Sequence, residues 1–472
     1  MLQWRCKRTS DGMAAAQELL PFNEGLALSE RTLRSTIIRL AMPAVIENML
    51  MTVVFVADTL IVGWLQDELS LAAVSLAGVF IWVADALFMA LAVGATAVVA
   101  RAWGACDRAR AQAAAGQAIL LSYLGSLVVV ALLFPNTERY MRLMGAAPAV
   151  AELGDQYLRW AVGASLFGFP LTVSNGIMRG AGDTRTPMYI TFVMNAWNIV
   201  GAYLLVFGIG PFPAYGVVGA GIAVGTARAL GSTLALLLLV LGGTPIQVPL
   251  RAVLRWDPPL LRTLTQLAMP AAAEHLVQRA GSAIFTRIIS VLGTTALAAH
   301  QVAVSLESLS FMPGVGLAVA TTTIVGQALG AKRPDLAERS VAISTRYALL
   351  VMGTVALLFF FASQPLARLY GATPEVVDLA AVALRIGAFE QFGLAIYMVL
   401  SGSLRGAGDT RAPLQVSLAG IFLFRVPLVY LLGVTLGLGL AGVWIGTVLD
   451  WSGRAVLTAY FYLKGRWKTI EI

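Results

Sequence analysis

The sequence predicts an all-α integral membrane protein with twelve transmembrane helices in two parallel six-helix repeats. Three observations carry this prediction: an apolar composition, twelve long apolar runs, and a sequence repeat that divides the runs into two sets of six. Of the 472 residues, 58% are hydrophobic and 12% are charged, against roughly 25% charged residues in a typical soluble domain. The mean hydropathy is +0.79. This composition excludes water-soluble cytosolic and secreted enzymes.

The apolar runs are bounded by charged residues or by clusters of Gly and Pro, and each is close to the roughly 20 residues that a membrane-spanning helix needs. We expect helices because lipid offers no hydrogen bonds, so each segment must satisfy its own backbone groups. Alternating strands of the barrel type are not evident. In chain order, the predicted spans are 37–63, 71–100, 112–134, 158–178, 188–209, 214–241, 261–291, 297–326, 342–363, 381–403, 414–435 and 438–462.

The distribution of Lys and Arg between the loops predicts the orientation of these helices. Four loops on one side, 64–70, 210–215, 292–296 and 433–438, contain neither residue, and two longer loops on that side contain few. Basic residues accumulate in cytoplasmic loops, so we place both termini and the loop between spans six and seven in the cytoplasm. The same bias explains the net charge of +8 without a nucleic-acid partner.

Cysteine and histidine are too scarce for a disulfide framework, a metal cluster or a His-rich metal site. The two cysteines, Cys6 and Cys106, both lie beside basic residues at predicted cytoplasmic ends. The first forty residues are polar and basic, so we expect no cleavable signal. The sequence leaves open whether Met1 or Met13 is the start. No metal site and no cofactor are expected.

An internal repeat divides the chain. The segment Arg-Gly-Ala-Gly-Asp-Thr-Arg at 179–185 recurs at 405–411, which is 226 residues later, and Leu-Ala-Val at 91–93 recurs at 317–319. Met-Pro with a following glutamate, ending at Glu47, recurs 227 residues later and ends at Glu274. Six spans per half give both halves one orientation, as in some transporters, with a central cleft between two bundles. The predicted divisions are an N-terminal tail at 1–34, a first bundle at 35–242, a basic linker at 243–260, a second bundle at 261–463 and a cytoplasmic tail at 464–472.

The repeated segment predicts a tight turn at the cytoplasmic surface. Asp183 or Thr184 can cap the fifth span, which has Pro187 in its first turn, and Arg179 is close enough in sequence to pair with Asp183. A phosphate-binding loop is the alternative, but no Lys-Ser/Thr follows the glycines and no strand precedes them. We therefore interpret the turn as structural. Its residues are Arg179, Gly182, Asp183 and Arg185, with counterparts Arg405, Gly408, Asp409 and Arg411.

These features resemble the multidrug and toxic compound extrusion (MATE) family over roughly residues 35–462. The resemblance rests on the duplicated turn, the paired Met-Pro starts, Val-Ala-Asp-Thr at 56–59 and Leu-Gly-Thr-Thr-Ala-Leu-Ala-Ala-His-Gln-Val at 292–302. It implies a bacterial inner-membrane antiporter with two six-helix bundles in a V shape. Such a protein exports organic, often cationic, compounds in exchange for H+ or Na+.

Acidic residues inside the spans are candidate functional groups, because a charge at the bilayer centre costs about 2.5–3.5 kcal/mol. Asp58 is the first candidate for ion coupling. It lies in the apolar run 53–63 without a basic neighbour, and its repeat counterpart is Ile284 or Phe285. The resemblance implies the same role, because the family's first-span coupling aspartate falls on this position. The alternative is a structural acid bonded to a Ser, Asn or Tyr of a neighbouring span.

Asn195 and Asn198 of the fifth span are candidate neighbours of Asp58, with side-chain oxygens suited to Na+ or to a shared proton. The resemblance matches Asn198 to a family asparagine. The proton-coupled branch carries a second aspartate one turn later, where this chain has Ala202, and this departure weakens a carboxylate-pair mechanism. The alternative for both asparagines is interhelical hydrogen bonding.

Glu274 and Glu390 are further candidates for ion coupling. Another branch of the family uses a seventh-span glutamate and a tenth-span aspartate, but Glu274 lies about one turn before the expected position, and the tenth-span position is Leu394, one turn from Glu390. Glu274 is also the repeat counterpart of Glu47, which argues for a shared packing role.

The remaining polar residues of the spans are assigned lower rank. We place Glu47, Asp85, Glu307 and Tyr397 along a substrate cleft, and we expect Arg425 to neutralise one of the acids.

Among other functions, a flippase for a lipid-linked or amphipathic substrate of the same wider superfamily is the alternative. The mainly acidic character of the buried charges favours cationic cargo instead. Enzymes are disfavoured because no His-Glu-x-x-His, no Gly-x-Ser-x-Gly and no cysteine cluster is present. The expected partners are small organic molecules, the lipid bilayer and a coupling cation. A monomer is expected because one chain contains both halves.

Overall fold

The computed structural model describes residues 30–65 and 68–472. The described residues form helices joined by short connections, and no strand occurs among them. Predictions about Cys6, the alternative start at Met13 and residues 1–29 of the predicted N-terminal tail lie outside the described residues.

Twelve long helices in this part of the chain coincide with the twelve predicted spans, and most begin several residues earlier. They are α1 (Glu30–Gly63), α2 (Glu68–Gly104), α3 (Arg108–Leu133), α4 (Pro148–Gly180), α5 (Arg185–Phe207), α6 (Val217–Leu241), α7 (Pro258–Val291), α8 (Thr294–Gly330), α9 (Pro334–Phe361), α10 (Pro374–Gly406), α11 (Arg411–Thr435) and α12 (Gly439–Leu463).

Ten segments of the described chain are long and apolar enough to cross a membrane by length and composition. Helices α7 and α12, which carry Glu274 and Asp450 among other charged residues, are not among the ten. The all-helical prediction is confirmed, whereas the count of twelve crossings stays a prediction.

Helix α11 departs from regular α geometry. Its segments Gly420–Arg425 and Tyr430–Thr435 are π-helical, and Val426–Val429 between them is α-helical with Pro427 at its second position. Proline removes a backbone donor and clashes with the preceding turn, and π-helical turns often occur where function requires an irregular helix. This irregular stretch carries Arg425 toward the second half's charged groups.

The sequence repeat is also a repeat of contacts. Thr96 of α2 donates a hydrogen bond to the Gly176 carbonyl of α4 at 2.8 Å, and Thr322 of α8 donates to the Gly402 carbonyl of α10 at 2.8 Å. Both pairs are separated by 80 residues, and the second follows the first by the repeat distance. Helices α2 and α4 therefore pack against each other as α8 and α10 do.

The chain divides into two compact units. The first unit contains Ile46–Ala268, and the second contains Met269–Ile472 together with residues 30–45. The division falls inside α1 and α7, within three residues of Pro43 and within two of Pro270, and so it lies about ten residues beyond the predicted starts of the two bundles. In the second unit, Gly316 of α8 admits the close approach of Ala41 from α1.

The linker 243–260 is docked rather than extended. Its short helix Leu250–Leu254 lies against α3 of the first unit, where Gln117 donates to the carbonyls of Ala252 and Arg255 and accepts from the Asp257 amide. The C-terminal tail is likewise packed within the second unit, because Trp467 is 1% exposed and stacks on Tyr462.

Candidate functional site

The turn before α5 fixes the position of the predicted ion-coupling asparagines. The Asp183 carboxylate accepts hydrogen bonds from the Arg185 and Thr186 amides at 3.1 and 3.0 Å, which satisfies donors that the first turn leaves free. Helix α5 therefore begins at a defined residue. Asn195 and Asn198, three residues apart, then project from one face of the helix, and both are buried.

Asp58 and Asn198 meet in the first unit. Asn198 Nδ2 donates to Asp58 Oδ1 at 2.8 Å, across 140 residues of sequence. Asp58 is partly buried on α1, whereas Asn198 is 4% exposed. The structure thus brings together the first two predicted ion-coupling residues. Ala202, one turn beyond Asn198, is fully buried and contributes no polar group to this site.

Asn195 has a different partner from the one expected. Its Nδ2 donates to the Leu50 carbonyl on α1 at 2.7 Å and not to Asp58. The side-chain oxygens of both Asn195 and Asn198 are buried and accept no hydrogen bond from any described residue. Buried polar atoms are nearly always satisfied, so each of these oxygens is a place where a donor or a cation would be stabilised.

A further charged pair lies in the same unit. Arg228 of α6 contacts Asp85 of α2 at 3.4 Å, and Asp58, Tyr157 and Arg228 are within electrostatic reach of one another. Arg228 was not among the predicted site residues. Its position in the middle of an apolar helix was the signal that could have identified it.

Glu47, predicted to line a cleft, is buried in an ion pair. Arg179 Nη2 lies 2.6 Å from Glu47 Oε1, and Asn175 Nδ2 donates to the same oxygen at 3.3 Å. The prediction that Arg179 pairs with Asp183 was wrong: Asp183 caps α5, and Arg179 reaches α1 instead. The first arginine of the repeated turn therefore ties that turn to the Met-Pro helix.

Glu274 has the equivalent partner in the second unit. Arg405 Nη2 lies 2.6 Å from Glu274 Oε1, and Gln278, Tyr397 and Ser417 each donate to this oxygen at 3.2 Å. The glutamate is 1% exposed. Tyr397 is therefore a buried ligand of this carboxylate, and the surroundings of Glu274 are those of a satisfied structural ion pair.

The other acids of the second unit form two groups. The carboxyl groups of Glu307 on α8 and Glu390 on α10 are both buried and lie within hydrogen-bonding reach of each other. Asp450 accepts from Arg425 Nε and from Arg454 Nε, each at 2.7 Å. The expectation that Arg425 neutralises an acid is confirmed, while the contribution of Arg454 was not predicted.

Glycine makes room for one of these arginines. A Cβ atom on Gly420, in the first π-helical segment of α11, would overlap the Arg454 guanidinium. Both arginines also lie over the Trp451 ring, with centroid distances of 5.1 Å for Arg425 and 4.9 Å for Arg454. No group of three or more His, Cys, Asp or Glu side chains suited to a metal ion occurs among the described residues.

Comparison with known proteins gives one consistent family. The MatE family model matches residues 43–204 and again residues 270–431, which are the two halves of the repeat. Over 446 residues the chain is 30% identical to a probable multidrug resistance protein NorM from Thermotoga maritima, covering 92% of this chain and 93% of that protein. It is 29% identical over 443 residues to the multidrug resistance protein MdtK from Yersinia enterocolitica, covering 92% and 95%.

Solved structures give the same result. The fold is similar to an outward-facing multidrug resistance MATE family transporter of the MOP superfamily, with a TM-score of 0.84 and 25% identity over 94% of this chain and 98% of that chain. It is equally similar to a MATE protein in complex with MaD3S, with a TM-score of 0.84 and 26% identity over 93% and 98%.

Proposed function

This chain belongs to the MatE family and is therefore a membrane transporter and not an enzyme, and from this premise we propose that it exports organic, often cationic, compounds in exchange for H+ or Na+ by alternating access. The names of its relatives in Thermotoga and Yersinia, multidrug resistance proteins, support the cargo class. The location would be the bacterial cytoplasmic membrane, with both termini in the cytoplasm.

The observation that carries the exchange proposal is the contact between Asp58 and Asn198, whose own buried amide oxygen accepts no hydrogen bond from any described residue. An ionisable side chain within a membrane-spanning helix is costly and is usually retained for function. Asp58 has an amide rather than an arginine as its direct partner, so its carboxylate charge is solvated but not cancelled. Such a carboxylate can hold a cation and release it again.

The asparagine suits both states of such a cycle. An amide offers a donor on one side and an acceptor on the other. While Asp58 is ionised, Asn198 Nδ2 donates to it, as observed. After a proton binds to Asp58, a half-turn of the amide lets the new O–H donate to Asn198 Oδ1. For Na+, the Asp58 carboxylate and the Asn198 side-chain oxygen are the hard oxygen ligands that such an ion prefers.

Exchange of cargo for the coupling ion follows if both compete for the negative charge of Asp58. A cationic compound is stabilised in the first unit only while Asp58 is ionised, and binding of H+ or Na+ removes that stabilisation. Glu274, which already has an arginine partner, is poorly suited to this role. Glu390 and Glu307 retain unsatisfied buried oxygens and remain candidates for a second contribution.

The test is ethidium uptake into proteoliposomes under an imposed pH gradient and, separately, an imposed Na+ gradient. We expect one gradient to drive uptake and Asp58→Asn to abolish it. The matched control is Asp335→Asn, which makes the same chemical change at a half-exposed carboxylate on the first turn of α9. This control should transport like the unmodified protein.

Two results would contradict the proposal. Ethidium uptake by Asp58→Asn at the unmodified rate would remove Asp58 from the mechanism. If neither gradient drives ethidium uptake by a correctly reconstituted protein, the exchange mechanism would be contradicted. Lipid flipping would then be the activity to measure.

A further inference from the structure

The first unit contains a carboxylate and a guanidinium near the midpoints of α2 and α6, and a second carboxylate, Asp58, five residues before the end of α1. Asp85 lies near the midpoint of α2 and Arg228 near the midpoint of α6, so helices that span a bilayer place both near its centre. Their side chains are nevertheless 38% and 22% exposed. Because charges at that depth face a bundle interior or a water-filled space and avoid lipid, we expect the exposed part of this pair to face away from lipid.

Arg228 is held in place by backbone packing. A Cβ atom on Gly168 of α4 would lie 3.1 Å from Arg228 Cδ and 3.2 Å from its Nη1. The arginine side chain therefore packs closely against the α4 backbone at Gly168, where an added Cβ atom would require the arginine to shift. Its single contact with Asp85, at 3.4 Å, is longer than the 2.7–2.9 Å of a strong charge-assisted hydrogen bond.

The charges in this region do not balance. The charged or titratable groups that face it are Asp58 from α1, Asp85 from α2, Tyr157 from α4 and Arg228 from α6, and α5 contributes only the neutral Asn198. With both carboxylates ionised, the net charge is minus one. Uncompensated charge is costly away from bulk water, so one proton or one monovalent cation neutralises the region.

We propose that Arg228 is a positioning residue that holds Asp85 as its counter-ion, so that Asp58 alone exchanges cations and one cation is exchanged per transport cycle. The inference rests on the proposed function, because it assigns the exchange to Asp58. It adds that the number of exchanged cations is set by Arg228, which need not contact the cargo or the coupling ion.

The repeat supports a special role for this arginine. Its counterpart 226 residues later is Arg454, which is 2% exposed and bonded to Asp450 at 2.7 Å, one helical turn away. The second unit therefore locks the equivalent arginine in a short, fully buried ion pair. The first unit leaves its arginine partly exposed, with a longer contact to Asp85 and within electrostatic reach of a second acid, Asp58.

The experiment measures how many cations the purified full-length protein releases when it binds ethidium. A weakly buffered, sodium-free solution with a pH indicator reports protons, and a sodium electrode reports Na+ in a parallel titration. We expect one cation per ethidium for the unmodified protein. Arg228→Gln removes the counter-ion of Asp85 and leaves two uncompensated carboxylates, Asp58 and Asp85. The variant should therefore release two cations per ethidium.

Two further variants separate the inference from a structural role. In Asp85→Asn, Arg228 has only Asp58 left to neutralise, so cation release should fall toward zero. The double variant Asp85→Asn with Arg228→Gln contains one carboxylate and no arginine, so release should return to one. If the Arg228–Asp85 pair were merely structural, cation release would not be lost in the single variant and regained in the double variant. Arg159→Gln, which breaks an ion pair with Asp155 in the same unit, is the matched control and should release one cation.

The outcomes distinguish this inference from the proposed function. If Arg228→Gln and Asp85→Asn each release one cation per ethidium, as the unmodified protein does, and Asp58→Asn releases none, the role of Arg228 is overturned. Asp58 then remains the exchanging group. Unmodified release by Asp58→Asn would overturn the proposed function itself. If Arg228→Gln does not purify as a folded protein, Asp85→Asn alone still decides, because unmodified release there contradicts the inference.

Discussion

The two buried ion pairs between the Met-Pro helices and the repeated turns provide a direct test of how the fold is stabilised. Arg179→Gln leaves Glu47 without its charged partner in the first unit, and Arg405→Gln does the same to Glu274 in the second. Removing one member of a buried pair costs about 3–5 kcal/mol, because the remaining charge is uncompensated.

The two substitutions should differ in size. After Arg405→Gln, Glu274 keeps three neutral donors, each at 3.2 Å. After Arg179→Gln, Glu47 keeps Asn175 at 3.3 Å and a marginal contact from Thr191 at 3.5 Å, and its second oxygen has no donor in the described part of the chain. Since a hydrogen bond contributes about 0.5–1.5 kcal/mol, the Arg179 variant should be the less stable of the two by about 1–3 kcal/mol.

The assay is thermal unfolding of the purified protein in detergent, followed by intrinsic fluorescence. With about 2–4 °C per kcal/mol for a domain of roughly 200 residues, the single variants should lower Tm by about 6–20 °C. The double variant Glu47→Gln with Arg179→Gln removes both charges and should recover most of the loss. An equal or larger loss for Arg405→Gln, or no recovery in the double variant, would refute the reasoning.

Three further substitutions, the first with a matched control, test other parts of the structure by the same assay. Gly406→Ala places a Cβ atom against the Thr322 carbonyl and should separate α10 from α8, with a loss of about 1–3 kcal/mol from overpacking, whereas Gly78→Ala meets no atom within 4 Å and should be neutral. Asp450→Asn leaves the buried Arg454 without its counter-ion and removes a partner of Arg425, and it should cost about 3–5 kcal/mol. Trp467→Ala removes a buried aromatic side chain from the C-terminal tail and should cost about 3–5 kcal/mol.

A specific Tm result would contradict each of these three expectations. Equal Tm values for the Gly406 and Gly78 variants would mean that α8 and α10 are not in close contact. An unchanged Tm for Asp450→Asn would mean that Arg425 and Arg454 reach solvent or another acid. An unchanged Tm for Trp467→Ala would mean that the tail does not pack on the second unit.

The helices and the repeat could be predicted because they depend on local properties of the sequence. Apolar runs bounded by charge set the positions of all twelve helices, and the cap at Asp183 follows from the residue type and its place before Pro187. The break in α11 was not predicted. Proline at 427 marks an irregularity, but whether the helix kinks or forms π-helical turns depends on what packs against it, here Arg454 over Gly420.

The Glu47–Arg179 and Glu274–Arg405 ion pairs were harder to predict because their members are more than a hundred residues apart in sequence. Arg179 and Asp183 are neighbours in the chain, so a local pair was the natural expectation. The partner on α1 becomes available only when α4 packs near it. A signal was nevertheless present, because Glu47 and Arg179 both recur in the second half at nearly the same distance, and residues in contact tend to be retained together in a duplicated fold.

The comparison of the two halves separates structural residues from functional ones. The glutamate–arginine pairs and the threonine–glycine contacts occur in both units, as expected of features that any such six-helix unit needs. The polar groups around Asp58 occur in the first unit alone, since the positions equivalent to Asp85, Tyr157, Asn195 and Asn198 are Phe311, Ala383, Ile421 and Phe424. A scaffold that packs well with apolar side chains at these places does not need the polar ones for stability. Their presence beside a partly buried carboxylate, against the cost of placing them there, is the strongest reason to assign cation exchange to the first unit.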